Sequence, residues 1–155
     1  MTKIKSNLVE VHIFRIIDRR LEFLLLKRVE NEKYPNIWQM VSGSIRKNET
    51  AVRAAKREVR EETGLIPKRF FVVPQINSLY LLDKDEILLV PVFGCLVNNS
   101  SKITISKEHS EYKWVRVEKA KKMIAWPGQR KAVKWISENW DNEKETIKFA
   151  QIILE

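Results

Sequence analysis

A single cysteine, Cys95, stands in a chain of 155 residues, which excludes an intramolecular disulfide framework and any multi-cysteine zinc site. Histidine is almost as scarce, with two in the chain, too few for a histidine-based ligand cluster. Four glycines and five prolines rule out a collagen-like repeat or a Gly/Ser linker. With 44% hydrophobic residues the chain does not have the composition of a disordered tract. Long apolar runs are missing too. The longest, Ile87 to Val97, is interrupted by Pro91 and Gly94 and falls short of the ~20 residues that a bilayer-spanning helix needs. The start, MTKIKSNLVE, carries basic residues but no apolar stretch followed by small cleavage-site residues. No secretory signal is visible, and the cytoplasm is the expected compartment. Acidic residues are the minority charge: 29 basic against 20 acidic give a net charge of +9. Such a balance attracts polyanions. The basic residues are spread along the chain, with only Lys119, Lys121 and Lys122 crowded together. A well-solvated surface therefore accounts for the charge, and neither nucleic acid nor membrane is the expected partner.

What is present suffices for one core of ordinary size, so one domain spanning residues 1–155 is expected. Leu8 to Ile17 and Leu21 to Lys27 are β-rich runs separated by Asp18, Arg19 and Arg20, which predicts a hairpin. Their nearly continuous apolar character predicts cover on both faces. Further strands are expected at Phe70 to Val73, Ser78 to Leu82, Glu86 to Val97, Ile103 to Ser106 and Tyr112 to Val117. From Thr50 to Glu62 the period becomes helical, with Ala51, Ala54, Ala55 and Val59 on one face and Gly64 placed to close the helix. The last third reads as helix, starting near Pro127 and Gly128 and carrying Val133, Ile136 and Trp140 as an apolar stripe. Strands interleaved with helices predict an α/β or α+β sandwich.

The chemistry concentrates between Gly43 and Leu65. Glu58, Glu61 and Glu62 recur at i, i+3 and i+4, which places three carboxylates on one helix face. Like charges so stacked destabilise an isolated helix, so a cation is expected to compensate. Hard oxygen ligands of this kind suit Mg²⁺ or Mn²⁺, which share their shells with water and substrate phosphates. Gly43, free to approach closely, is a candidate carbonyl ligand to the same ion.

Gly43, Glu49, Arg57, Glu58, Val59, Glu61, Glu62, Gly64 and Leu65 stand at the spacing of a known signature. By every specified position the chain resembles the Nudix hydrolase family. Chance would produce such a match at roughly one start site in 10⁹ on average composition. The resemblance implies an α/β/α sandwich with a mixed central sheet, and hydrolysis of a nucleoside diphosphate linked to another group. It implies that Glu58, Glu61 and Glu62 hold metal while Arg57 and Glu49 orient the helix. The segments around Trp38 to Ser44, Glu108 to Trp114 and Trp126 to Val133 look like the bacterial dATP pyrophosphohydrolase and dihydroneopterin triphosphate pyrophosphatase branch. That likeness implies a further metal carboxylate at Glu108, with Glu111 as its rival, and substrate contacts at Arg28 and Ser42. Leu79 to Cys95 has no counterpart there, and Ala125 stands where the branch has a polar residue.

Other residues invite attention with competing readings. Trp38 and Tyr34 offer faces on which a base could stack, against core or loop packing. His109, beside Glu108, reads as a surface or satisfied histidine, and Cys95 as an inert buried thiol. The expectation is a Mg²⁺-dependent hydrolase, with Arg57, Glu58, Glu61 and Glu62 as its catalytic set, releasing pyrophosphate and a monophosphate from a nucleoside or pterin triphosphate. Two alternatives stand: a dinucleoside polyphosphate or nucleotide-sugar hydrolase, and a non-catalytic module that binds nucleotide or RNA. Monomer and homodimer remain equally open.

Overall fold

In a computed structural model, residues 1–140 and 144–154 are described. The strands are β1 (Lys3–Lys5), β2 (Leu8–Ile17), β3 (Arg20–Arg28), β4 (Trp38–Gln39), β5 (Val41–Ser44), β6 (Arg69–Leu81), β7 (Glu86–Leu96) and β8 (His109–Arg116). The helices are α1 (Ala51–Thr63), α2 (Val117–Met123), α3 (Pro127–Asn139) and α4 (Glu145–Ala150). All eight strands join one sheet in the order β1-β7-β2-β3-β4, with β5 on β2, β6 on β7 and β8 on β3. The sheet is mixed, because β7 runs parallel to β1 and β2 while the other pairs are antiparallel.

β2 organises the molecule, because successive side chains of a strand point to opposite faces. Val9, Val11 and Ile13 pack with Ala54, Ala55 and Val59 of α1 in one core cluster. Phe14 packs with Ala132, Val133 and Ile136 of α3, Ala120 of α2 and Ile147 of α4 in a second cluster on the other face. Both faces are thus covered, and the result is an α/β/α sandwich. The same alternation turns Glu10 and His12 toward the α3 face, where both are buried.

Local chemistry fixes the hairpin and the helix ends. Asp18 and Arg19 adopt positive φ of 50° and 63°, the backbone of a tight turn whose twist matches that of the strands it joins. Thr50 caps α1 by accepting from Arg53 N at 3.2 Å. Gly64, at φ 70°, closes the helix through its N–H to Arg60 O at 2.8 Å.

Four sequence expectations are corrected. Phe70 to Val73 and Ser78 to Leu82 belong to one strand, β6, whose register shifts between Val72 and Ile76. Pro74, which lacks an N–H for the ladder, lies in that interval. Ile103 to Ser106 is no strand: Thr104 N and Ser106 N donate to Thr63 O and Glu62 O at 2.9 and 3.2 Å, satisfying carbonyls that the end of α1 leaves free. Among the described residues the final third holds three helices, α2, α3 and α4, where the sequence marked one start near Pro127, and β1 adds a strand that periodicity did not mark. No helix among the described residues is long and apolar enough to cross a membrane.

Candidate active site

Arg57 is the hub of the loop between β5 and α1. Its Nε and Nη2 donate to Glu49 Oε1 and Oε2 at 2.8 and 2.9 Å, a bidentate pair, and Nη2 also reaches Ser44 O at 2.8 Å. Its Nη1 donates to Glu58 Oε1 at 2.7 Å and Glu61 Oε2 at 3.1 Å. Glu49 Oε2 in turn accepts from Arg46 N at 2.9 Å. Charge-assisted bonds of this fork geometry are the strong ones. The Arg57 bond, reinforced by the Arg46 backbone, holds the Glu49 carboxyl down at about 2, and Glu49 keeps the guanidinium firmly charged.

Gly43 sits where no side chain fits, since a Cβ there would overlap the carboxyl carbon of Glu58. That contact brings α1 down onto β5 and directs Glu58 into a cleft of about 950 Å³. Glu61, Glu62 and Glu108 line the same cleft, with Ser42 and Arg28. Glu62 is 4% exposed and its Oε2 has no hydrogen-bond partner. Burial, then the charges of Glu58 and Glu108, push its pKa up to about 9. Burial also raises Glu58, against the pull of Arg57. Three mutually repelling carboxyls, one with a buried oxygen left unpartnered, are the donor set that a hard divalent cation would satisfy. Among the described residues no three acidic or histidine side chains stand at ligand spacing. Glu61 is instead drawn to Arg46 at 3.3 Å and to Arg57.

The remaining expected residues separate. Glu111 lies outside the cleft, paired with Lys113 at 3.7 Å, whereas Glu108 faces in. Arg28 is tethered by Nε to Lys33 O at 2.6 Å. Gly64 is remote and serves the helix end alone. Trp38 does not line the cleft: in β4 the pleat buries Gln39 on the cleft wall and leaves the Trp38 ring beneath Lys27 and Lys113, whose Nζ atoms lie 5.9 and 5.1 Å from its centroid. The aromatic wall is Tyr34 with Trp126, edge to face at 4.9 Å between centroids.

His109 is neither at the surface nor satisfied. It is 5% exposed, both ring nitrogens lack partners, and Nδ1 lies 3.7 Å from Glu62 Oε2. Burial, with Arg28 beside it, lowers its pKa to about 4, so the ring is neutral at physiological pH. Nothing in the sequence marked it beyond its place next to Glu108. Cys95 is buried and its thiol pushed upward, which fits an inert side chain.

These shifts set a pH dependence for the metal-free protein. A carboxyl with a raised folded pKa stabilises most below its unfolded value, and loses that contribution as pH rises through the folded one. Above pH 6.5, the ordinary histidine value, His109 is neutral folded or unfolded and drops out. Stability should therefore fall from pH 6.5 to about 9 as Glu62 is forced to ionise. Calorimetric melting across that range checks it, and added Mg²⁺ should raise Tm more at pH 8.5 than at pH 6.5.

The chain is similar to known proteins in sequence and in fold. The NUDIX domain model matches residues 7–136. The asymmetrical bis(5′-nucleosyl)-tetraphosphatase of Caenorhabditis elegans is 27% identical over 112 residues, covering 72% of this chain and 79% of that protein. The nucleoside triphosphatase NudI of Salmonella heidelberg is 29% identical over 105 residues, covering 62% of this chain and 74% of that one. The solved E. coli dihydroneopterin triphosphate pyrophosphohydrolase shares the fold, with a TM-score of 0.70 at 22% identity over 90% of this chain and 100% of that chain.

Proposed function

Because the chain belongs to the NUDIX domain family, whose hydrolases act on pyrophosphate bonds, we propose that it cleaves a nucleoside or pterin triphosphate to the monophosphate and pyrophosphate with the help of Mg²⁺. The observation that carries this reading is that Glu58, Glu62 and Glu108 line one cleft, with a buried Glu62 oxygen left unpartnered. Glu58, Glu61, Glu62 and Glu108, with the Gly43 carbonyl, are the groups that would hold the ion, and Mn²⁺ fits the same oxygen set. A bound divalent cation supplies neutralisation of the phosphate charge and a lowered pKa for water.

The chain's own residues do the rest. Arg57 fixes Glu58 and Glu61 through the Glu49 anchor, so that the carboxyls are held before substrate arrives. Arg28, Lys33, Arg46 and Lys131 line the cleft and offer cations to a polyphosphate tail. One carboxylate of the set accepts the proton of the attacking water.

A dinucleoside polyphosphate is the second reading, favoured by the size of the cleft, about 950 Å³, and by the name of the nematode relative. A panel of dATP, GTP, CTP, dihydroneopterin triphosphate, diadenosine tetraphosphate and ADP-ribose, assayed with Mg²⁺ and with chelator, separates them. Pyrophosphate release from a triphosphate, abolished by chelator, is the expected result. Turnover confined to the dinucleotide would replace the first reading by the second, and no metal-dependent turnover of any member would overturn both.

A further inference from the structure

The metal chemistry leaves unused a second set of polar groups in the same cleft, on the α3 face of the sheet. Glu10, 5% exposed in β2, accepts from three side chains. Gln129 Nε2 donates to its Oε1 at 2.9 Å, and Asn77 Nδ2 to its Oε2 at 2.9 Å. His12, fully buried, meets the same Oε2 through Nε2 at 2.7 Å. A buried carboxylate is costly unless its lone pairs are used, and three donors spanning β2, β6 and α3 repay much of that cost. In a core built only for stability, an apolar residue at position 10 would do better. Glu10, Asn77 and Gln129 all line the cleft.

The network fixes which way each amide points. Gln129 Oε1 accepts from Met40 N at 3.1 Å, so its NH₂ must face Glu10. Gln75 Nε2 donates both to Asn77 Oδ1 at 2.5 Å and to Gly128 O at 2.8 Å, so both its hydrogens are spent and Asn77 must present its NH₂ toward Glu10. Each amide NH₂ has two hydrogens and only one is used on Glu10. Among the described residues, an N–H of Asn77, an N–H of Gln129, the Gln75 carbonyl and the second lone pair of Glu10 Oε1 have no partner. The wall therefore offers an anionic acceptor flanked by amide donors.

We propose that this wall reads the ring of the substrate, and that its chemistry selects the edge of the 2-aminopyrimidin-4-one ring that guanine and pterin share. That edge places a ring N–H and an exocyclic NH₂ beside a carbonyl, so two adjacent donors meet the Glu10 carboxylate and Gln75 carbonyl while the ring carbonyl meets an amide N–H. Adenine offers one exocyclic donor group beside a bare ring nitrogen, and cytosine likewise, so each can meet only one of the two acceptors, Glu10 and the Gln75 carbonyl, and leaves the other unpaired. Glu10 reads the ring and His12, fully buried and off the cleft wall, positions Glu10; both are distinct from the metal carboxylates across β5. This inference deepens the proposed triphosphate activity and rests on it for the kinetic arm of its test only.

The test measures kcat and KM for GTP, ATP, CTP and inorganic tripolyphosphate with Mg²⁺, on wild type, Glu10→Gln and Asn77→Leu. KM for GTP should be lower than for ATP and CTP by about tenfold or more, the scale set by leaving a site's polar group unpaired. Glu10→Gln should erase that preference through KM while leaving kcat within about threefold, and tripolyphosphate, which has no ring, should be unaffected. Asn77→Leu keeps the hub and removes one donor, so it gives a second reading should Glu10→Gln fail to fold. A Glu10→Gln effect of equal size on GTP and tripolyphosphate, or a wild type that does not discriminate among the bases, would overturn the inference. Titrating the metal-free protein with guanosine, adenosine and cytidine separates the two proposals: selective guanosine binding supports the ring-reading wall even if no triphosphate is hydrolysed, and equal binding of all three refutes it.

Discussion

Glu62→Gln should lower metal-dependent turnover by about three orders of magnitude, in the range that loss of a positioned catalytic group costs, and at the same time make the metal-free protein more stable. The two effects have one cause. Glu62 is 4% exposed and has an unpartnered oxygen facing Glu58 and Glu108. Its ionised form suits a cation and nothing else in its surroundings. Glutamine keeps the shape and cannot ionise, so folding no longer forces a carboxyl to hold its proton far above the usual carboxylate range, for a gain of about 1–3 kcal/mol near neutral pH. For a chain of this size that corresponds to roughly 2–10 °C in Tm. Turnover assayed beside thermal melting in chelator checks both halves. Falling activity with falling stability would mean that Glu62 is a structural residue, and the metal account of it would be lost.

Gly43→Ala should cost about two orders of magnitude in turnover and about 2 kcal/mol or more in stability, because the added carbon overlaps the Glu58 carboxyl. Glu58 cannot simply step aside, since Arg57 holds it at 2.7 Å while itself anchored to Glu49 and to Ser44 O. Any retreat of Glu58 pulls on the hub that sets Glu61 as well. Gly64→Ala is the matching control. Its φ of 70° makes a side chain strained, at about 1 kcal/mol, but nothing of the site touches it. Loss of stability without loss of kcat is expected there, and comparable kcat losses in both variants would show that general destabilisation explains Gly43.

The motif made the carboxylates and their helix legible because helical spacing is short-range geometry: residues three and four apart share a face whatever else the chain does. The hairpin of β2 and β3 and the stop at Gly64 were readable for the same reason. What lay hidden depends on contacts distant in sequence. Glu10 and Gln129 are 119 residues apart and become partners only because the β2 pleat turns Glu10 toward α3. Trp38, named with Tyr34 as a stacking candidate, is turned off the cleft wall by the alternation of β4, while Tyr34 stands beside Trp126 on that wall. His109 gave no signal because burial, the property that matters about it, belongs to the packed β8 and not to the residues beside it in the chain. The strand expected at Ile103 to Ser106 failed where its N–H groups found helix carbonyls in place of a neighbouring strand.

The central claim is that the acidic cleft holds a divalent cation, and Mn²⁺ titration followed by electron paramagnetic resonance measures that directly, on wild type, Glu58→Gln and Glu62→Gln, with Mg²⁺ as competitor. The account predicts Mn²⁺ binding by the wild type that Mg²⁺ displaces, weakened at least about tenfold in each variant. Equal affinity in all three proteins, or triphosphate turnover that persists in chelator, would contradict it.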